Sequence, residues 1–204
     1  MRSSLHAAVG AASLLAFFGT PVAAQDVKPN APAAPKPAVT PVDPFAGIPP
    51  AKPADVSSMD GIIAALYDVI SGNAGVERDW DRFRSLFYPG ARMIPTGKNA
   101  KTGHVAAFFI PPEGYIKSSG PLLAKEGFHE QEITRHVDSF GNIAQVFSAY
   151  EARHKLSDEK PFLRGINSMQ LLNDGKRWWL LTITWSAETA DHPLPEKYSK
   201  KPDR

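Results

Sequence analysis

Histidine and carboxylate side chains crowd one short stretch of the chain, where His129, Glu130, Glu132 and His136 fall within eight residues. These are the side chains that hold zinc or move protons. The surrounding run, Phe128 to Phe140, reads as a strand, on which His129 points away from Glu130, Glu132 and His136. The four do not converge, and no metal site is expected. His129 can instead face His154 across a hairpin, but two imidazoles lack a third ligand. His104 stands beside a polar loop, where a histidine is either simply solvated or a general base at a cavity mouth. The chain has no Gly-rich phosphate loop, nucleophile elbow or Cys–His arrangement, and no cofactor is expected.

Pairing across two turns gathers a second set. Gly141-Asn142 reads as a two-residue turn between Phe128–Phe140 and Ile143–Leu156. It pairs Val137 with Val146, Arg135 with Ser148, Ile133 with Tyr150 and His129 with His154 on one face. Asp174-Gly175 reads as a second two-residue turn, since a type I′ turn needs φ > 0 at both central positions. It pairs Leu171 with Trp178, Met169 with Leu180, Asn167 with Thr182 and Gly165 with Thr184. The opposite face pairs Gln170 with Trp179, Ser168 with Leu181, Ile166 with Ile183 and Arg164 with Trp185. Both faces are apolar enough to require cover.

The elements that carry these strands follow from periodicity and punctuation. Ser57 and Asp60 resemble a capping box, followed by Ile62, Ile63, Leu66, Val69 and Ile70 at helical spacing and a stop at Gly72. Asp79 to Tyr88 places Trp80, Phe83, Leu86 and Phe87 on one side of a second helix, ended by Pro89-Gly90. Arg92–Ile94 and Val105–Ile110 read as short strands, and Pro111-Pro112 opens a third helix with Tyr115 and Ile116 inward.

Outside this core the composition changes. Arg2, the apolar run Ala7–Phe18 and Val22-Ala23-Ala24 have the form of a cleaved secretory signal over 1–24. Residues 25–56 are dense in Pro and Ala and read as a disordered tether, and 189–204 as a flexible charged tail. One domain remains, 57–188. With no cysteine there is neither a disulfide nor a lipidated thiol. A periplasmic or secreted protein is expected. The near balance of 23 basic and 21 acidic residues, interleaved, argues against nucleic acid or a membrane surface as partner, and no membrane span is expected.

Helix, helix, strand, strand, helix and two hairpins is an α+β order, with helices on one face of a mostly antiparallel sheet. The segments DGIIAALYDVISG, DWDRFRSLFYPGARMIP and NDGKRWWLLTITW together resemble the nuclear transport factor two-like superfamily, which includes ketosteroid isomerases and SnoaL-like cyclases. The resemblance implies a cone-shaped, curved mixed sheet with three helices on its concave face. It also places the isomerase base at Pro95, the isomerase tyrosine near Ala65 with Tyr67 pointing elsewhere, and the acidic donor at Asn167. Pro95 accepts no proton, so that activity is not expected. On this geometry Arg135, Ser148, Tyr150, Asn167, Thr182 and Trp178 line a cavity that orients a small apolar molecule bearing a carbonyl or hydroxyl. Trp179, Leu181, Ile183 and Trp185 fall on the outer face, which predicts a homodimer there. An enzyme of SnoaL-like type and a structural dimerisation module are the alternatives; an ionisable group lining an open cavity would favour the enzyme.

Overall fold

The computed structural model describes residues 43–99 and 101–199. The expected signal, the first part of the expected tether and the last residues of the expected tail lie outside these described residues.

Helix α1 (Pro53–Val56) is a single turn opened by a proline at its first position, where the missing N–H costs nothing. Helix α2 (Met59–Ile70) buries Ile62, Ile63, Leu66, Tyr67, Val69 and Ile70 along one side. Its cap is Ser58 rather than Ser57, with the Ser58 Oγ accepting from the Gly61 N–H at 2.9 Å. Helix α3 (Trp80–Ser85) starts at Asp79, whose side chain accepts from the Arg82 N–H, and ends sooner than the apolar spacing predicts. From Phe87 the chain is extended and becomes β1 (Phe87–Lys98). Strand β2 (Val105–Ala107) is short, and helix α4 (Pro112–Glu126) follows. Two hairpins complete the sheet: β3 (His129–Phe140) with β4 (Ile143–Arg153), and β5 (Leu163–Asn173) with β6 (Trp178–Ala187). Helix α5 (Glu196–Ser199) closes the described chain. There are thus five helices among the described residues, two of them single turns that the sequence pattern did not mark.

The six strands run in the order β2-β1-β6-β5-β4-β3. Neighbours are antiparallel except β1 and β6, which are parallel, so the sheet is mixed as expected. One face meets α2, α3 and α4 around Ile62, Phe83, Val146, Met169 and Leu180.

Two one-residue bulges decide which side chains reach that face. The β3–β4 turn is as expected, with Phe140 opposite Ile143 and Arg135 opposite Ser148. Beyond Thr134, however, Ile133 is extra, and Glu132 rather than Ile133 faces Tyr150. His129 then lies opposite Arg153, not His154. The second hairpin turns through four residues, not two, with Asn173 opposite Trp178 and Leu171 opposite Leu180. Asp174 closes it by accepting from the N–H groups of Lys176 and Arg177, and Gly175 takes the positive φ of 88°. Leu181 is extra, so Thr182 faces Gln170, Ile183 faces Met169 and Trp185 faces Asn167. A bulge inserts one unpaired residue, and a single-residue slip exchanges faces. Ile183 and Trp185 therefore point inward, and Thr182 and Thr184 outward.

Two patches of the outer face are covered by the chain's own ends. Tyr198 of α5 packs with Ile133 and Ala149, alongside Ile166 and Leu194. Phe45 lies against Trp179 and Tyr88, with ring centroids 5.5 and 5.4 Å away. Ordered structure thus continues past both ends of the expected 57–188 domain. The expected outer patch does not exist, because Ile183 and Trp185 are inside and Trp179 is already buried.

Candidate functional site

The apolar wall of α2, α4, β1 and β6 leaves an open cavity of about 210 Å³ beside the sheet. Leu66, Ile70, Met93, Leu123, Ile183 and Trp185 supply most of its surface. Five polar side chains border it: Tyr115 and Ser119 of α4, Glu130 of β3, Tyr150 of β4 and Asn167 of β5. Among the described residues no Lys, Arg or His lines it. Glu130 also borders a larger polar groove of about 850 Å³ between α2 and β3, together with Asp60, Tyr67, His129, Glu132 and Arg135.

A chain of hydrogen bonds fixes the polar wall. Arg135 pairs with Asp60 of α2 and, at 3.0 Å, with Glu132. The other Glu132 oxygen accepts from the Ser148 hydroxyl at 2.6 Å. With its proton committed there, the Ser148 Oγ is the acceptor for the Tyr67 hydroxyl at 2.7 Å. The Tyr67 oxygen in turn accepts from the Asn167 amide at 3.2 Å. The same amide nitrogen donates to Glu130 at 3.2 Å. Both amide protons of Asn167 are therefore used inside the protein, and only its oxygen remains to offer a ligand.

Glu130 is half-buried as a residue, the surface it keeps facing the cavity and the groove. Its carboxyl is largely withdrawn from bulk water and has no cation partner among the described residues. Burial pushes its pKa up to about 8, against the opposing pull of the Asn167 hydrogen bond. Glu132, two residues on, has the Arg135 guanidinium that Glu130 lacks. Tyr67, Tyr115 and Tyr150 are all held well above the ordinary phenol range, chiefly by burial and then by the nearby Glu130. All three remain protonated donors through the working range of pH.

Of the six expected site residues, Tyr150 and Asn167 line the cavity. Ser148 is fully buried behind them in the hydrogen-bonded chain, and Arg135 borders the polar groove. Thr182 is on the outer face because of the Leu181 bulge, and Trp178 packs into the core without reaching the cavity. The histidines are dispersed. His129 bonds the Asn73 side chain at 3.0 Å, His154 stacks on Phe162, His136 sits by Asp138, and His104 is exposed on its loop. Tyr67 corrects the expectation taken from the isomerases, since it points into the sheet and bonds both Ser148 and Asn167. The sequence reading weighed Glu130 only within the histidine cluster and Tyr115 only as an inward helix residue, and placed neither at the cavity. No glycine marks the bulge that turns Glu130 inward; the available signal was Leu194 and Tyr198 in a charged tail, which cover Ile133 once it turns outward.

A sheet of this order with helices on one face and a lined pocket beneath them defines the nuclear transport factor two-like fold, and the chain has that fold. A solved nuclear transport factor two-like protein of unknown function from Pseudomonas putida superposes with a TM-score of 0.50 at 12% identity, covering 72% of this chain and 95% of that one. The β subunit of a putative aromatic-ring-hydroxylating dioxygenase from Novosphingobium aromaticivorans gives 0.49 at 15% identity, over 65% and 88% of the two chains. A putative scytalone dehydratase from the same organism gives 0.46 at 15% identity, over 72% and 93%. No protein-family model and no curated protein sequence matches the chain. Likeness at these identities establishes the fold alone, which hosts many unrelated activities.

Proposed function

We propose that the cavity binds a small, largely apolar molecule bearing a carbonyl or hydroxyl and carries out acid–base chemistry on it, with Glu130 as the group that takes and returns the proton. One observation carries this reading. A carboxyl with no cationic partner among the described residues, titrating near 8, lines an open apolar pocket. A group that titrates near the working pH is best matched to proton transfer. The Glu130 carboxylate would remove a proton from the carbon beside a carbonyl, the C–H electron pair passing into the enolate. Return of that proton to another carbon would give an isomer with no oxidant or cofactor. The polar groove behind Glu130 gives its carboxyl a route to exchange with solvent. The cavity volume lies below the ~300–1,000 Å³ of drug-sized sites, which favours a ligand smaller than a polycycle.

Deuterium exchange tests the reading. Cyclic enones incubated with the protein in heavy water should gain deuterium at enolisable carbons, at a rate rising with pH through about 8. Glu130→Gln should abolish the gain. Exchange absent with every enone, or unchanged in the variant, removes Glu130 from this role. The sequence further supports export of the chain after cleavage at Ala24; N-terminal sequencing of exported protein that began at Met1 would reject it.

A further inference from the structure

Three hydroxyls border the cavity, on Ser119, Tyr115 and Tyr150, and the two phenols are the deeply buried ones. The hydroxyls of Tyr115 and Tyr150 bond to nothing among the described residues, although the two residues are only 9% and 2% exposed. Among the described residues no buried side-chain nitrogen or oxygen lacks a partner, so each phenol oxygen keeps access to open space, and the open space both residues border is the cavity. Buried hydroxyls in native proteins are otherwise paired, because desolvation without a partner is costly.

Both phenols are held rigidly. The Tyr115 ring stacks on Phe83 at 5.6 Å and meets the edge of Trp185 at 6.2 Å. The Tyr150 hydroxyl lies over Gly165, where an added Cβ would stand 2.6 Å from its oxygen and 2.4 Å from the Ser186 carbonyl oxygen. A glycine inside a central strand marks such a close approach, and here it makes room for the hydroxyl. The two phenols reach the same cavity from different elements, Tyr115 from α4 and Tyr150 from β4.

We propose that Tyr115 and Tyr150 form a two-donor clamp for the oxygen of a compact, uncharged ligand, the two hydroxyls donating where Asn167 cannot. The clamp rests on the cavity being a small-molecule site and not on proton transfer by Glu130. Its selectivity follows from the lining. An anionic ligand would meet no Lys, Arg or His among the described residues and would lie beside an acid, whereas a carbonyl accepts from both phenols. If the ligand is enolised, the same donors face the oxygen on which charge develops, and rigid donors need no reorganisation at that moment.

The probe is 3-methylcyclohex-2-en-1-one, with 1-methylcyclohexene as the same ring lacking the oxygen. Binding is followed by calorimetry, and the ketone's infrared carbonyl stretch by difference spectroscopy. The wild type should bind the ketone in preference to the hydrocarbon and lower its carbonyl frequency. Tyr115→Phe and Tyr150→Phe should each weaken ketone binding about five- to tenfold and move the frequency back up, while hydrocarbon binding stays the same. A carbonyl frequency unmoved by either Phe variant, or a wild type that does not prefer the ketone, overturns the clamp. If the Phe variants behave as expected while Glu130→Gln still exchanges deuterium, the clamp stands and the proton-transfer role falls. If Glu130→Gln abolishes exchange while the Phe variants change neither binding nor frequency, the clamp falls and the acid–base role stands.

Discussion

Replacing Glu130 with Gln should stabilise the protein at alkaline pH and abolish most of its stability gradient between about pH 5 and 8. The group ionises at 4.5 in an ordinary environment and only near 8 in the fold. Between those values the folded state holds a proton that the unfolded chain has lost. Since ∂ΔG/∂pH of unfolding follows protons bound by the unfolded state minus those bound by the native state, stability falls as pH rises through this window, by up to about 1.4 kcal/mol per unit. Below about 4.5 both states are protonated and Glu130 contributes no gradient. Above about 8 both are ionised and the full penalty is present. Water reaching the carboxyl from cavity and groove lessens it, and about 2–4 kcal/mol is a fair expectation for the whole span. His129, held below its ordinary 6.5 by burial, slopes the opposite way over a narrower range and offsets part of the gradient. Gln has the shape of the protonated acid and can still accept from Asn167, so the variant should hold its stability from pH 5 to 8. Urea melts at half-unit pH intervals measure both curves. Parallel curves for wild type and variant would show that Glu130 titrates normally, and would remove the basis for its proton-transfer role.

Asn167→Leu should raise the Glu130 pKa further, because the amide donates to the carboxylate, and a carboxyl carbon-13 titration that moved downward would contradict the hydrogen bond. Arg78, only 5% exposed and bonded through its guanidinium to the carbonyls of Ile70, Val76, Gly72 and Leu123, ties α2 to α4; Arg78→Met should cost about 3–5 kcal/mol in denaturant melts, and under 1 kcal/mol would refute this. Tyr198→Ala should cost about 2–4 kcal/mol by uncovering Ile133 and Ala149, whereas a loose tail would make it neutral. Gly165→Ala should lower stability by about 1–3 kcal/mol and displace the Tyr150 hydroxyl, seen as weakened binding of the ketone probe.

The helices and the strand order were legible because they are written in local terms. Ile62, Leu66, Val69 and Ile70 keep a helical period, and Gly141-Asn142 punctuates two runs of β-forming residues. The residues near the hairpin tips, such as Val137 opposite Val146, followed from turn and parity. What failed was parity carried past a bulge. Ile133 and Leu181 are good strand residues with nothing local to mark them as extra, and the benefit of each bulge is tertiary: Ile133 finds Tyr198 and Leu194, while Ile183 finds the core. The same slips moved Glu130 into the cavity and Thr182 out of it. Asn167 was placed correctly because β5 itself is regular.

The two extra residues also set how this pocket can change over generations. Loss of the single codon for Leu181 would remove the bulge and leave the partners as they are, Thr182 opposite Gln170 and Ile183 opposite Met169, so the cavity wall would keep Ile183 and Trp185. Loss of the codon for Ile133 would likewise keep Glu132 opposite Tyr150 and Glu130 opposite Ala152, while Tyr198 and Leu194 would lose a side chain that they cover. Either event leaves the hairpin turns and the helix contacts of the rest of the sheet in place. The bulges are thus the places where a residue can be lost without turning the lining over, whereas one codon lost from the regular strand β5 between Asn167 and its turn would exchange Asn167 with its neighbours across the sheet.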